Sequence, residues 1–312
     1  MSTRVTIVTP SYNQAEFLEE TILSVLGQDY PEIEYIVVDG GSTDGSVEIV
    51  ERYADRLAWW VSEPDGGQTE ALNKGFARAT GDYVGWINSD DTLLPGAVST
   101  AVAALNARPD AALAFGDAVV VDEQGGRLRL FKAEDLDVRE MLRCCRDPIV
   151  QQGALIRRDA LDAVGGVDES LHTCFDFKLM VALGLRYPSV RIDAPLGTYR
   201  LHPASKSMSD AARWAADFQR MYADVFAREL PREIRAIERE ARSRAGLAAA
   251  RLYYNALQLR SARRAQVAAL RLYPRHATPA ALLFVLKTFL PARVLRPLQR
   301  LRGAQLRWSG AR

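Results

Sequence analysis

The first half of the chain alternates two apolar patterns. Short, unbroken β-rich runs at Val5–Thr9, Tyr35–Asp39, Trp59–Ser62, Tyr83–Asn88 and Ala112–Val121 predict strands. Between them, apolar positions recur at helical spacing over Phe17–Leu26, Ser46–Tyr53, Thr69–Ala79 and Ala97–Arg108. Tyr35-Ile36-Val37-Val38 is apolar throughout, which fits a strand of a parallel sheet covered on both faces. The alternation predicts an α/β, doubly wound fold with a mostly parallel central sheet. After Val121 the pattern changes. Asp122-Glu123-Gln124-Gly125-Gly126 reads as a hairpin turn, and a mixed α+β region runs to about Pro203, with a helix near Phe175–Leu185 and a strand at Gly197–Leu201. From about Ser209 the sequence is helical and rich in Ala, Leu and Arg, and neither an internal repeat nor a low-complexity linker interrupts it.

Ligands of such sheets sit beyond the carboxyl ends of the strands, and polar residues gather at those ends here. The four turns are Thr9-Pro10-Ser11-Tyr12-Asn13, Asp39 to Gly45, Ser62 to Gln68, and Asn88-Ser89-Asp90-Asp91. Asp90 and Asp91 offer hard oxygen ligands suited to Mg²⁺ or Mn²⁺ held partly by substrate phosphates, with Asn88 adding a third oxygen. The plainer alternative is that Asp90 caps a helix beginning near Pro95, or that both face water. Asp39 can accept hydrogen bonds from a base or ribose, or else satisfy its own turn. Ser42 or Asp44 is expected to cap the next helix. Tyr12 suits stacking on a base or a simple turn, and Lys74, across a helix start from Asp65, suits phosphate contact or plain solvation. Neither G-x-G-x-x-G after the first strand nor G-x-x-x-x-G-K-[ST] occurs, which argues against a dehydrogenase or a P-loop nucleotidase. G-x-S-x-G and a zinc-ligand pattern are missing too.

Composition adds one point. Of 312 residues, 48% are hydrophobic and 25% charged, an ordinary globular balance. Cys144, Cys145 and Cys174 form no even framework and are read as reduced thiols in a cytoplasmic setting. The N-terminal residues lack the apolar core of a signal peptide, and no apolar run is long enough to span a bilayer. The net charge of +1 conceals a division: from Ala241 to Arg312 there are fifteen Lys or Arg and no acid, which leaves residues 1–240 at −14. A basic tail on an acidic body points to an anionic partner or to a solvated basic helix pair. The apolar segment Thr278–Pro291, followed by Arg293, Arg296, Arg300 and Arg302, describes a helix lying in an anionic membrane surface through residues 278–312; packing on the preceding domain and a dimer contact are the alternatives.

Taken together, the motifs resemble family 2 glycosyltransferases, nucleotide-sugar-dependent enzymes of the GT-A fold, over about Val5 to Ser207. By that resemblance, Thr9, Pro10, Tyr12 and Asn13 form the opening nucleotide-contact turn, and Asp39 of Val37-Val38-Asp39-Gly40-Gly41-Ser42-Thr43-Asp44-Gly45 reads the base. Asn88-Ser89-Asp90-Asp91 stands in the place of the D-x-D metal motif, with Asn88 replacing its leading Asp. Metal binding then falls to Asp91 and Asp90, Asp91 the stronger, and Asp65, Lys74, Asn88 and Asp90 join the donor site. Gly165-Gly166-Val167-Asp168-Glu169 resembles the acceptor-side turn before the catalytic carboxylate, which is Asp176 in Cys174-Phe175-Asp176-Phe177-Lys178. Phe175 stands where many relatives have Glu. Tyr199-Arg200-Leu201-His202 resembles a motif that closes over the diphosphate, so His202 joins the candidates for phosphate or metal contact.

The resemblance implies a GT-A catalytic domain over 1–207, its nucleotide-sugar half about 1–121 and its acceptor half about 122–207, followed by a helical basic region over 208–312. It implies an inverting transfer of one sugar, with Mn²⁺ or Mg²⁺, from a nucleotide diphosphate sugar to a hydroxyl acceptor such as a glycan or polyprenyl-linked acceptor in cell-surface polysaccharide assembly. No nucleic acid is expected as partner, and peripheral attachment to the inner face of a bacterial plasma membrane is. Gln305-Leu306-Arg307-Trp308 falls one residue short of the Q-x-x-R-W motif of processive synthases and is taken as chance. Two other functions compete. A sugar-phosphate nucleotidyltransferase would want a Gly- and Lys/Arg-rich loop after the first strand, which Ser11–Glu16 lacks. A non-catalytic nucleotide-sugar-binding or scaffolding subunit is the third, suggested by the missing Glu before Asp176.

Overall fold

A computed structural model describes residues 3–202 and 210–290. Arg293, Arg296, Arg300, Arg302 and Gln305–Trp308 lie outside the described residues. The described residues up to His202, apart from 142–145, form one compact unit, and Leu142–Cys145 with the residues from 210 onward form a second.

The first unit is built on one eight-stranded sheet. In chain order its elements are β1 (Val5–Ser11), α1 (Ala15–Leu26), β2 (Ile33–Asp39), α2 (Ser46–Arg52), β3 (Trp59–Ser62), α3 (Gln68–Phe76), β4 (Tyr83–Trp86) and α4 (Ala97–Ala107). There follow β5 (Leu113–Val121), β6 (Arg127–Phe131), α5 (Val138–Cys144, of which 142–144 belong to the second unit), β7 (Leu155–Arg157), α6 (Arg158–Val164), α7 (Phe175–Gly184) and β8 (Ser189–Arg200). The spatial order is β3-β2-β1-β4-β7-β5-β6, with β8 pairing β5. β3, β2, β1 and β4 are mutually parallel, while β7 is antiparallel to both β4 and β5. Two antiparallel steps restore the direction, so β5 and its parallel partner β8 run with β4. The carboxyl ends of β1, β2, β3, β4 and β8 therefore share one edge of the sheet.

Every expected strand and helix of the first half is present, with shifted ends. β1 runs on through Pro10 to Ser11, because Pro10, which has no amide hydrogen, falls just beyond the last residue that β4 pairs. β4 stops at Trp86 and the chain turns, with the Asp91 amide donating to the Asn88 carbonyl at 3.1 Å. The Asp122–Gly126 turn joins β5 to β6 as a hairpin. The strand expected at Gly197–Leu201 begins at Ser189. Its first part is half-exposed and charged, with Arg191 and Asp193, and Pro195 sits at a bulge against β5, so no apolar run announces it.

Gly85 is the tight point of the sheet centre. A Cβ there would stand 2.7 Å from the Ala154 carbonyl oxygen and 2.9 Å from Leu155 Cδ2, so the bare backbone lets β7 close on β4. In the second unit, helices Ala211–Ala227, Glu238–Asn255 and Leu259–Leu272 pack through small side chains such as Ala245, Ala249, Ala265 and Ala269, all buried. Helix Pro279–Lys287, capped by Thr278 accepting from the Ala281 amide, leaves Leu282, Leu283 and Leu286 exposed. Among the described residues, no helix is long and apolar enough to cross a membrane.

Gly85→Ala should destabilise the folded protein by about 1–3 kcal/mol through overpacking. Urea titration of the variant against wild type measures this; an unchanged midpoint would show that β7 can retreat without cost.

Candidate active site

The β1 and β2 turns are stitched to one another. Asn13 adopts φ 51°, a left-handed conformation Asn tolerates, and its amide donates to Ser42 Oγ at 2.7 Å while its Oδ1 accepts from the Thr43 amide at 2.9 Å. Asp44 takes the Ala15 amide at 2.9 Å on one oxygen and the Ser46 amide at 3.1 Å on the other, tying the first turns of α1 and α2. Gly45 occupies the cap position of α2, so the capping expected of Asp44 reaches the helix by way of Ser46.

Asp39 is fully buried. Its carboxylate accepts from the Gly41 amide (3.1 Å), the Ser42 amide (2.8 Å), Ser42 Oγ (2.5 Å) and Ser62 Oγ (2.7 Å). The turn-satisfying role open to it in the sequence is thus realised, and it also draws β3 to β2. Asp65 lies beside it: a Cβ on Gly40 would come within 3.1 Å of the Asp65 carboxylate. Burial, with the charges of Glu70 and Asp39 nearby, pushes the Asp65 carboxyl up against a hydrogen bond from the Gly67 amide.

The remaining nucleotide-turn residues divide. Thr9 and Pro10 are buried, and the Thr9 hydroxyl pairs with Tyr35 Oη at 3.0 Å. Tyr12 is 62% exposed, open to a stacking partner. Lys74 is paired with Glu63 at 2.7 Å and Glu70 at 4.0 Å.

At the end of β4 the two carboxylates part company. Asp91 is buried, its Oδ1 accepting from the Arg200 amide (2.8 Å) and its Oδ2 from Gln152 Nε2 (2.6 Å) and Asn88 Nδ2 (3.2 Å). Asn88 in turn accepts from Gln68 Nε2 at 2.7 Å. Burial, then the charge of Asp90, pushes the Asp91 carboxyl well up, while the three N–H donors favour its ionised form. Asp90 is directed elsewhere, with Oδ2 3.0 Å from His202 Nε2. The expectation that Asp91 is the stronger metal ligand meets this geometry: both its oxygens are committed to protein donors, and Asp90 is the carboxylate paired with the imidazole. Among the described residues there is no cluster of three His, Cys, Asp or Glu side chains placed to hold a metal.

Arg200 fastens this corner. Besides its amide on Asp91, its Nε donates to the Asp90 carbonyl (2.8 Å), Nη1 to the Glu123 carbonyl (3.1 Å) and Nη2 to Glu20 on α1 (2.6 Å). Its guanidinium lies 5.0 Å above the Phe17 ring, which also packs against His202 at 4.9 Å between ring centroids.

Asp176 is half-buried in the first turn of α7, where burial raises its carboxyl. A second acid keeps it company: Asp147, pushed up to about 8 by burial and by the Asp176 charge. Lys178, two residues on, pairs with Asp168 of the Gly165–Glu169 turn, and Asn73 on α3 holds that turn through the Val167 amide (3.0 Å), the Val167 carbonyl (2.8 Å) and Glu169 (2.8 Å). Sequence reasoning missed Gln152, Asp147 and Asn73 and gave Arg200 no role of its own.

The sequence matches the family model for "Glycosyl transferase family 2" over residues 6–165. The O-antigen biosynthesis protein RfbC of Myxococcus xanthus is 31% identical over 217 residues, covering 68% of this chain and 16% of that protein. The chain therefore spans a small part of that relative's length. Among solved structures, S. aureus TarS 1–349 in complex with UDP-GlcNAc superimposes with a TM-score of 0.65 at 16% identity, covering 92% of this chain and 89% of that one. The mannosyltransferase PcManGT of Pyrobaculum calidifontis, in complex with GDP-Man and Mn²⁺, gives 0.59 at 20% identity, covering 100% and 89%. These likenesses are of fold: GT-A, with a central sheet of mostly parallel strands and a helical C-terminal region.

A carboxyl raised on folding holds its proton in the native state, so the stability it contributes is present at low pH and lost as pH rises. For Asp147 the window runs from the ordinary carboxylate range, about 4, to about 8. Thermal melts across that window should fall more steeply for wild type than for Asp147→Asn; parallel curves would remove Asp147 from the coupled pair.

Proposed function

The chain belongs to glycosyl transferase family 2, and from that premise we propose that it is an inverting, metal-dependent transferase. It would move one sugar from a nucleoside diphosphate sugar to a hydroxyl acceptor, a glycan or polyprenyl-linked one, in surface polysaccharide assembly. The observation that carries this reading is the Asp90–His202 pair at 3.0 Å, on the same sheet edge as the Asp39 and Asp65 turns. The O-antigen assignment of RfbC and the nucleotide sugars bound to TarS and PcManGT support the substrate classes.

The proposed roles follow the chemistry of the side chains. Tyr12 and the Asp39–Asp65 turns receive the nucleoside, with Tyr12 free to stack and the Asp65 carboxyl beside Gly40. Asp90 and His202 face the diphosphate. One carboxylate oxygen and one imidazole nitrogen suit Mn²⁺ or Mg²⁺ that completes its shell with phosphate oxygens and water, so the donor set fits such an ion. When bound, the ion would supply Lewis acidity toward the departing diphosphate. Asp91 positions Asp90 from behind. Asp176 accepts the acceptor's proton as the hydroxyl oxygen bonds to the anomeric carbon and the bond to the diphosphate breaks, giving the inverted glycoside. Burial raises the Asp176 carboxyl, which makes its ionised form a stronger base.

For location, we propose peripheral attachment to the anionic inner face of a plasma membrane through the region from 278 onward. The exposed Leu282, Leu283, Leu286 and Phe289, with no acid after Glu240, support this.

Asp176→Asn should lower kcat by roughly 10²–10⁴-fold while leaving donor binding intact; near-wild-type turnover would remove Asp176 from the role of base. Thermal shifts with nucleoside diphosphates should grow on adding Mn²⁺ to wild type and should not grow for Asp90→Ala or His202→Ala. The triple variant Leu282→Gln, Leu286→Gln, Phe289→Gln should stop pelleting with phosphatidylglycerol vesicles; undiminished pelleting would place the contact elsewhere.

A further inference from the structure

Gln151 is buried, at 7% exposure, and neither Nε2 nor Oε1 of its amide has a hydrogen-bond partner among the described residues. Buried amides are almost always paired, because an unpaired one gives up its water bonds for nothing. Its place in the chain is telling. The segment from Asp147 to Gln152 begins at the carboxylate that feels the charge of Asp176 and ends at the amide that donates to Asp91 at 2.6 Å. It thus links the proposed base to the corner that holds Asp90. The backbone there is fixed: the Ala154 amide donates to the Gln151 carbonyl at 2.9 Å, and Gly153, at φ +83°, sits where a Cβ would stand 2.5 Å from Leu196 Cβ. The backbone of Gln151 is therefore bonded within a turn, while its amide has no partner among the described residues.

We propose that Gln151 is a sugar-binding residue, whose amide pairs with hydroxyl groups of the sugar carried by the donor. The inference rests on the transferase reading. In an inverting displacement the sugar lies between the departing diphosphate and the base, and residues 147–152 run from the neighbour of Asp176 to the residue bonded to Asp91. A primary amide offers an N–H donor and a carbonyl acceptor side by side, which matches two neighbouring hydroxyls of a pyranose. A site built to pair with hydroxyls also discriminates, because a sugar lacking one leaves the amide unpaired again. Gln151 would then help decide which sugar is moved, and the sugar would complete a hydrogen-bonding set that the described residues leave open.

The test uses the full chain, with Gln151→Met as a near-isosteric replacement lacking the amide. UDP, GDP and dTDP are compared with UDP-glucose, GDP-mannose and dTDP-glucose by thermal shift and calorimetry, and turnover is measured with the donor that works. Removing an unpaired buried amide should raise the melting temperature of the ligand-free variant. The nucleoside diphosphate should bind as in wild type, the added affinity from the sugar should disappear, and kcat/KM should fall roughly 10- to 100-fold. An unchanged preference for the sugar nucleotide would overturn the proposal, as would a variant that melts lower and binds both ligands equally weakly, since the amide would then be structural. A variant that fails to fold would overturn it for the same reason. If wild type responds to none of the six ligands, the transferase reading itself falls, and this subsite with it.

Discussion

Two carboxylates on consecutive residues at the end of a buried strand repel one another and lose water together. The structure resolves this by giving each its own surroundings. Asp91 is taken into the interior and surrounded by three N–H donors, and Asp90 is turned out toward His202. Arg200 makes the separation rigid, its amide on one residue and its Nε on the carbonyl of the other. Much of the molecule is arranged around that need. β8 must arrive parallel to β5 to deliver Arg200, α1 must present Glu20 and Phe17 to hold the guanidinium, and the turn before β7 must supply Gln152.

The same division of labour recurs at the other strand ends. Asp39 spends its hydrogen-bonding capacity on shaping its turn and holding Ser62, while the neighbouring Asp65 is left with one backbone partner. Asp168 pairs with Lys178 and so supports α7, on which Asp176 lies. In each case two acids near one another have different partners. A carboxylate that would be costly to bury alone is held by N–H donors, against the like charge of its neighbour.

This explains what the sequence disclosed and what it withheld. Apolar runs and helical spacing located β1 to β5 and α1 to α4, because each element's periodicity is local. The polar turns followed from the strand ends. What stayed hidden was which of two adjacent acids faces inward, since adjacent residues carry no periodic signal to separate them. The donors that decide it come from far away: Gln152 is 61 positions from Asp91, and Arg200 is 109. Asp147 gave no sign either, for its importance lies in its nearness to Asp176 across a loop and a helix. The early part of β8, polar on its exposed side, hid for a different reason: half-covered strands at the margin of a sheet are not required to be apolar.

The insertion of β7 between β4 and β5 has a bearing on how the chain comes to be folded. β4 and β5 follow one another in sequence, separated only by α4, and yet they never pair; the strand that joins them is made some thirty to forty residues after β5. On a ribosome, the first 121 residues would emerge with β4 unpaired along one side and β5 without β6, β7 and β8. The parts of the first unit before and after residue 121 are therefore not modules that pair their strands in turn. β5 can be joined to β4 only once residues 155–157 are synthesised, and a gene cut ahead of them would yield two pieces with an exposed strand edge on each.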